Sequence, residues 1–147
     1  MLDERNIRFL EQFRGDGGLV IAAISSAPLL LGKAGLLEGK RFTHGLFEEF
    51  LDAFPVMPRE GVVRTFLVED GNLITAHGGA FREFAAVAGQ KVGLDCPETV
   101  FSGMAGKDYT EDDFIFHLPP EEMAGARDYW DKCLEEAHQR AASNDYQ

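Results

Sequence analysis

Residues 20–43 read VIAAISSAPLLLGKAGLLEGKRFT. With Leu19 in front, the run Leu19–Ile24 is apolar without alternation, which suits a strand covered on both faces of a parallel sheet better than a half-exposed hairpin strand. Ser25-Ser26-Ala27-Pro28 follows at once. Pro28 has no N–H to lose and a φ suited to a first helical turn, Ser26 is placed to cap, and Leu29–Ala34 continue as helix until Gly35. The unit is a strand, a tight turn and a buried helix.

Working outward, Leu2, Ile7, Leu10 and Phe13 fall near one face of a helix over residues 2–13, which the Gly15-Asp16-Gly17-Gly18 cluster stops. Downstream, residues 36–40 read as a turn, Arg41–Thr43 as a short strand and Gly45–Ala53 as a helix ending near Pro55. Val62–Glu69 and Asn72–Ala76 flank Asp70-Gly71, which predicts a hairpin with a type I′ turn. Gly78 and Gly79 lead into a helix over Ala80–Ala88 with Phe81, Phe84, Ala85 and Ala88 on the packed face. Residues 93–106 are glycine-broken and loop-like, and Phe114–Phe116 suggest a short apolar strand. Pro119 and Pro120 open a long helix with an apolar stripe of Met123, Ala126, Trp130, Cys133, Leu134 and Ala137, acids early and His138 and Arg140 late. Residues after Ala142 are expected to fray.

A length of 147 residues sets a single domain as the expectation, and 45% hydrophobic residues with twelve Phe make it globular despite a net charge of -11. Fourteen basic against twenty-five acidic residues leave no basic stripe for phosphates, so nucleic acid and anionic membranes are excluded as partners on electrostatic grounds. The charged start MLDERNIRF lacks the apolar middle of a signal peptide, and no apolar run approaches a membrane span, so a cytoplasmic location is expected. Cys96 and Cys133 stand far apart without metal-ligand spacing and read as reduced, unreactive thiols.

Ala23-Ile24-Ser25-Ser26-Ala27 has the form small-x-Ser-x-small between a strand and a helix, the requirement of a nucleophile elbow. The turn is tight enough that bulky neighbours two residues away would collide, and it lifts the central side chain above the carboxyl end of the sheet. A serine pair before a proline is more commonly a plain helix cap, and the spacing alone leaves both open. Among the four histidines, no pair stands at metal-ligand spacing with an acid, so neither metal nor cofactor is expected. Glu48-Glu49 and Glu111-Asp112-Asp113 lack the glycine and alternating oxygens of a calcium loop and read as solvated faces.

The run from Val20 to Thr43, with VVRTFLVEDGNLITAHGGAFREFA from Val62 to Ala85, resembles the second half of the ThiJ/PfpI (DJ-one/PfpI) superfamily. The shared pattern is an apolar strand, an Ala-Ile-nucleophile turn, a small residue and Pro, a helix ending Ala-Gly-Leu-Leu, a Gly-Lys and a Thr, then Asp70-Gly71-Asn72-Leu73-Ile74-Thr75 with trailing glycines. It spans about residues 1–92 and leaves 93–147 unassigned. The resemblance implies a flavodoxin-like α/β fold of the class I glutamine amidotransferase type, a three-layer sandwich that is commonly dimeric. It also implies an elbow cysteine activated by a glutamate from the N-terminal half, in peptidases or amidases, glyoxalases or deglycases, chaperones and stress sensors.

Two departures weigh on that expectation. Ser25 stands in the cysteine position, and the opening helix matches the element just before the elbow strand, so the early β-α units that carry the glutamate are expected to be missing. A serine hydroxyl needs a positioned base where a thiolate does not. His44, after Thr43, stands where the family often places a histidine, so Ser25 with His44, flanked by Ser26, is the catalytic set the resemblance offers. A surface or partner-contacting histidine is the alternative, and His77 beside Gly78-Gly79 has the same standing. Removing β-α units from a doubly wound sheet would bare an apolar strand edge, so a homodimer or a completing N-terminal half is the expected partner, with the last helix as a further cover. The favoured function is that of a degenerate, non-catalytic domain acting through self-association or a protein partner. A hydrolase or glyoxalase/deglycase-like enzyme using Ser25 is the alternative.

Overall fold

Asp3 opens the first helix by accepting the N–H of Arg5 on its carboxylate, and α1 runs over Glu4–Glu11 with Ile7 buried. The computed structural model describes residues 3–53, 55–96 and 107–143. After α1 come β1 (Ile21–Ile24), α2 (Pro28–Lys33), α3 (Glu48–Ala53), β2 (Leu67–Asp70), β3 (Leu73–Ala76), α4 (Phe81–Lys91) and α5 (Pro120–Ser143), with 3-10 turns at Arg59–Gly61, Gly78–Ala80 and Glu111–Phe114.

The three strands form one sheet in the order β1-β3-β2. β1 runs parallel to β3, with Ala22 beside Ile74 and Ile24 beside Ala76, and β2 pairs antiparallel with β3. Side chains alternate across a pleated strand, so Ala23 and Leu73 share one face and Ala22, Ile24, Ile74 and Ala76 the other. Ala23 and Leu73 join Leu29, Leu31, Leu37, Phe42, Leu46, Leu51 and Met57 in the core. α4 packs over β3 and β1 and covers Ile74 and Ala76, both fully buried. The parallel β1 and the strand–turn–helix order follow the sequence expectation, but coverage on both faces does not: Ala22 is exposed, because α4 reaches across β3 and stops short of enclosing the edge strand.

Several local expectations are corrected. Asp70 pairs with Leu73, so the hairpin turns on Gly71-Asn72. Gly71 alone takes positive φ, at 64°, which is the arrangement of a type II′ turn and not type I′. Asp70 instead uses its carboxylate to accept the Arg41 N–H. Arg41–Thr43 form only a single parallel bridge, Phe42 with Val62, because Thr43 turns its N–H to the Thr75 hydroxyl (2.9 Å). Ser26 does not cap α2: Ala27 is the N-cap residue and no side chain bonds there. On α4 the buried position is Ala86, whereas Phe81 and Ala85 of the expected packed face are exposed.

Phe114–Phe116 add no strand. Phe114 ends a 3-10 turn whose Thr110 and Asp113 cap each other, and the Phe116 carbonyl accepts the Glu48 N–H (2.9 Å). The long C-terminal helix is present, packs on α1 and sets Trp130 edge-on against Phe50, with ring centroids 5.0 Å apart. It therefore covers the α1 and α3 side of the molecule. Expectations for Leu2, for residues 97–106, for the chain end from residue 144, and for the side chains of Cys133, Leu134, Ala137, His138 and Arg140 lie outside the described residues.

Candidate functional site

The site is built where β1 ends. Ser25 is the single described non-glycine residue with positive φ, 62°. For an L-residue this conformation costs roughly 1–2 kcal/mol, so something must hold it. Two backbone bonds do: the Ser25 N–H donates to the Ala76 carbonyl (2.9 Å), and the Ser25 carbonyl accepts from the Gly45 N–H (2.8 Å). Two glycines flank the side chain. A Cβ on Gly78 would lie 3.3 Å from Ser25 Oγ, and one on Gly45 would lie 3.4 Å from it, so both positions leave the hydroxyl its room. Strand, strained residue and short helix together are the backbone of a nucleophile elbow.

Thr43 brings the second expected residue into place. Its N–H bonds to Thr75 and its hydroxyl to the Thr65 carbonyl (2.8 Å), which anchors the segment entering His44 beside β3. His44 is 4% exposed. Its Nδ1 accepts the Leu46 N–H (3.1 Å), which places the ring proton on Nε2. Nε2 is itself buried and has no hydrogen-bond partner among the described residues. Burial pulls the imidazole down from 6.5 to about 4, against the pull of the nearby Glu48 carboxylate, so the ring is neutral at pH 7. Glu48 in turn is held below the usual carboxylate range by its bond to Arg64 (2.7 Å), with Arg59 3.6 Å away.

No hydrogen bond joins Ser25 and His44, and Ser25 Oγ makes none among the described residues. The electronic consequence is specific. A base for Ser25 must offer a lone pair, but the Nδ1 pair of His44 is engaged and its Nε2 is a donor. Ser26 sits at the next elbow position, where its carbonyl accepts the Leu29 N–H (3.1 Å).

His77 closes the same edge of the sheet, one residue beyond β3. Its Nδ1 accepts the Gly79 N–H (3.1 Å), and burial lowers its pKa as well. The ring stacks on Phe116 at 4.9 Å and meets Phe66 and Phe114 edge-on. Glu49, expected as a solvated charge, anchors that aromatic strap by taking His117 Nδ1 (2.9 Å) and the Leu118 N–H (3.1 Å). The roles of Gly45, Glu48 and Arg64 carried no signal in the sequence beyond their nearness to His44 or to the hairpin. Among the described residues, no three His, Cys, Asp or Glu side chains come together as metal ligands, and no helix is long and apolar enough to cross a membrane.

A parallel strand feeding a helix through a strained serine, with an antiparallel hairpin beside it, defines the class: an α/β protein with a nucleophile-elbow backbone. Residues 2–89 match the DJ-1/PfpI family, and the chain belongs to it, with that family's flavodoxin-like α/β fold. Isonitrile hydratase from Pseudomonas putida is 34% identical over 103 residues, a match that covers 68% of this chain and 43% of that enzyme. Two solved structures are similar. One is a two-domain protein with DJ-1/ThiJ/PfpI-like and ferritin-like domains from Anabaena variabilis, with 30% identity and TM-score 0.48 over 60% of this chain and 24% of that one. The other is a cysteine-to-alanine variant of a DJ-1 superfamily protein from Salmonella typhimurium, with 34% identity and TM-score 0.46 over 60% of this chain and 46% of that one. The chain thus spans under half the length of the curated relative it matches.

Proposed function

We propose that this chain is a degenerate DJ-1/PfpI domain, one domain over residues 1–147 and cytoplasmic, that acts by associating with protein and not by turnover at Ser25. The observation that carries the proposal is the state of His44, which is neutral, protonated on Nε2 and bonded through Nδ1 to the Leu46 N–H. Such a ring donates a hydrogen bond and cannot remove the proton of a serine hydroxyl whose own pKa lies far above neutrality.

A second reading, in which Ser25 is the nucleophile of a hydrolase, glyoxalase/deglycase or hydratase, draws support from the positive φ of Ser25. Strain of this kind clusters at working nucleophiles. The test offers the purified chain an alkyl isonitrile, the compound class in the name of the Pseudomonas relative, together with methylglyoxal and a peptide amide, beside Ser25→Ala and Ser25→Cys. The non-catalytic proposal expects wild type and Ser25→Ala to be indistinguishable on all three compounds. Turnover by wild type that Ser25→Ala abolishes without unfolding the chain would overturn it in favour of the second reading.

A further inference from the structure

The end of the sheet opposite the elbow holds a cavity that the Ser25 site does not use. β1 and β3 run parallel and both start there, Ile21 beside Leu73, about 13 Å along the strand from Ser25. The cavity, of about 290 Å³, opens between these strand starts, the turn after α1 and the turn after α2. Phe13, Ile21, Leu36 and Leu73 give it apolar walls. Two cations, Arg14 and Lys40, and two anions, Asp16 and Glu38, share the lining.

These polar groups are held in place without being used up. The Arg14 guanidinium lies against Gly35, where a Cβ would come within 2.9 Å of Nε. Its Nε donates to the Ala34 carbonyl and its Nη2 to Glu11 (2.9 Å), which fixes the fork, while Nη1 bonds none of the described residues. Lys40 stands 3.7 Å from the Asp70 carboxylate, beyond hydrogen-bond distance. Asp16 takes the Gly18 N–H on Oδ1 (2.8 Å), which leaves Oδ2 without a donor among the described residues, and the exposed Glu38 carboxylate has none either. Asn72 donates both amide hydrogens, to the Asp16 (2.8 Å) and Leu19 (2.6 Å) carbonyls. That ties the glycine-rich turn to β3 and leaves Asn72 Oδ1 as an acceptor in the cavity wall.

We propose that this cavity binds a free α-amino acid with an apolar side chain, a function separate from the association reading of the preceding subsection. Such a ligand carries a carboxylate, an ammonium and an aliphatic group on one carbon, and the lining offers a partner to each. Arg14 Nη1 and the Lys40 ammonium take the carboxylate, since charge-assisted bonds to a fixed guanidinium are the strong ones. Asp16 Oδ2, Glu38 and Asn72 Oδ1 take the ammonium, and the aliphatic group lies against Phe13, Leu36 and Leu73. The four lining charges sum to zero, which suits a zwitterion. A plain carboxylic acid would leave Asp16 and Glu38 facing an anion in a chain of net charge -11, and a plain amine would face two cations. The volume falls at the low end for small-molecule sites, ~300–1,000 Å³, and suits a single amino acid better than a peptide or a nucleotide.

The experiment is titration calorimetry of the full chain with L-leucine, with isocaproate and isopentylamine, which lack its amine and its carboxylate, and with L-serine. Amide NMR shifts locate the bound ligand. Leucine is expected to bind saturably and to shift Gly17, Gly35 and Asn72, with the other three compounds about tenfold weaker or more. Arg14→Gln is expected to weaken leucine by about the same factor. Because Arg14 also holds the Ala34 carbonyl, Glu38→Gln supplies a second reading at an exposed side chain. It should weaken leucine and strengthen isocaproate, a reciprocal change that loss of folding would not produce. Four results would each overturn the proposal: no saturable binding at millimolar leucine, equal affinity for leucine and isocaproate or serine, shifts at Ser25, Gly45 and Gly78 in place of the cavity residues, or leucine binding untouched by both variants. None of these results depends on turnover or association, so the reading of the Ser25 site stands or falls separately.

Discussion

Acidification should unfold this protein through His44, and His44→Asn should remove most of the effect. A histidine whose folded pKa is depressed is neutral in the native state and protonated more readily once unfolded, so stability is complete above 6.5 and lost as pH falls toward 4. At about 1.4 kcal/mol per tenfold change in proton affinity, the full loss is ~3 kcal/mol, with about 2 kcal/mol gone by pH 5. The ring is 4% exposed and little screened by solvent. Asparagine places an acceptor near the Nδ1 position, keeps the Leu46 N–H satisfied and does not titrate. The carboxylates of Glu48 and Glu49 are both held low by their partners, so their losses fall below the window. His77 is lowered as well and leaves a smaller residual slope in the variant. The assay is urea unfolding at one fixed protein concentration from pH 7.5 to 5, followed by circular dichroism. An equal loss of stability in wild type and His44→Asn between pH 7 and 5 would refute the assignment.

Two further substitutions test the backbone around the site. A Cβ on Gly32 would lie 2.7 Å from the Val56 carbonyl oxygen and 2.9 Å from Met57 Sδ. Gly32→Ala should therefore destabilise by roughly 1–3 kcal/mol, although alanine gains about 1 kcal/mol in helix propensity, and an unchanged denaturation midpoint would mean that the Val56-Met57 segment yields freely. Ser25→Gly relieves roughly 1–2 kcal/mol of left-handed strain against about 0.5–1 kcal/mol of added chain entropy, so it should leave stability equal or up to about 1 kcal/mol higher. A clear loss in thermal unfolding would show that the Ser25 side chain itself holds the turn.

The fold was legible where it depends on near neighbours in sequence. The unalternating LVIAAI, the serine pair and Pro28 fix β1, the turn and α2 because strand period, turn size and proline geometry are local properties. Coverage is not local. Ala22 and Ala85 carry the same apolar signal as residues that are buried, but whether Ala22 is enclosed depends on how far α4 extends beyond β3, and whether Ala85 is enclosed depends on what packs on α4; periodicity encodes neither. The hairpin shows the finer limit: Asp70-Gly71 announces a turn, but its type rests on the negative φ of Asn72, whose side-chain amide is tied to the Asp16 and Leu19 carbonyls far away in sequence.

The candidate site divides along the same line, and the division bears on its chemistry. Position 25 was legible as an elbow because small flanking residues and a following proline are written in the sequence. What holds the elbow is two backbone bonds, to the Ala76 carbonyl and from the Gly45 N–H, together with the absence of side chains at Gly45 and Gly78. None of these depends on which side chain residue 25 carries. Elbow geometry therefore does not depend on the side chain at position 25, and reactivity does not follow from it: that requires a lone pair aimed at Oγ. The nearest expected source, His44, has its free pair committed to Leu46, a bond set by the loop between Thr43 and α3 and invisible in any spacing of serine and histidine. Backbone strain at residue 25 is thus a property of the surrounding backbone, and the protonation pattern of His44 sets what that ring can offer it.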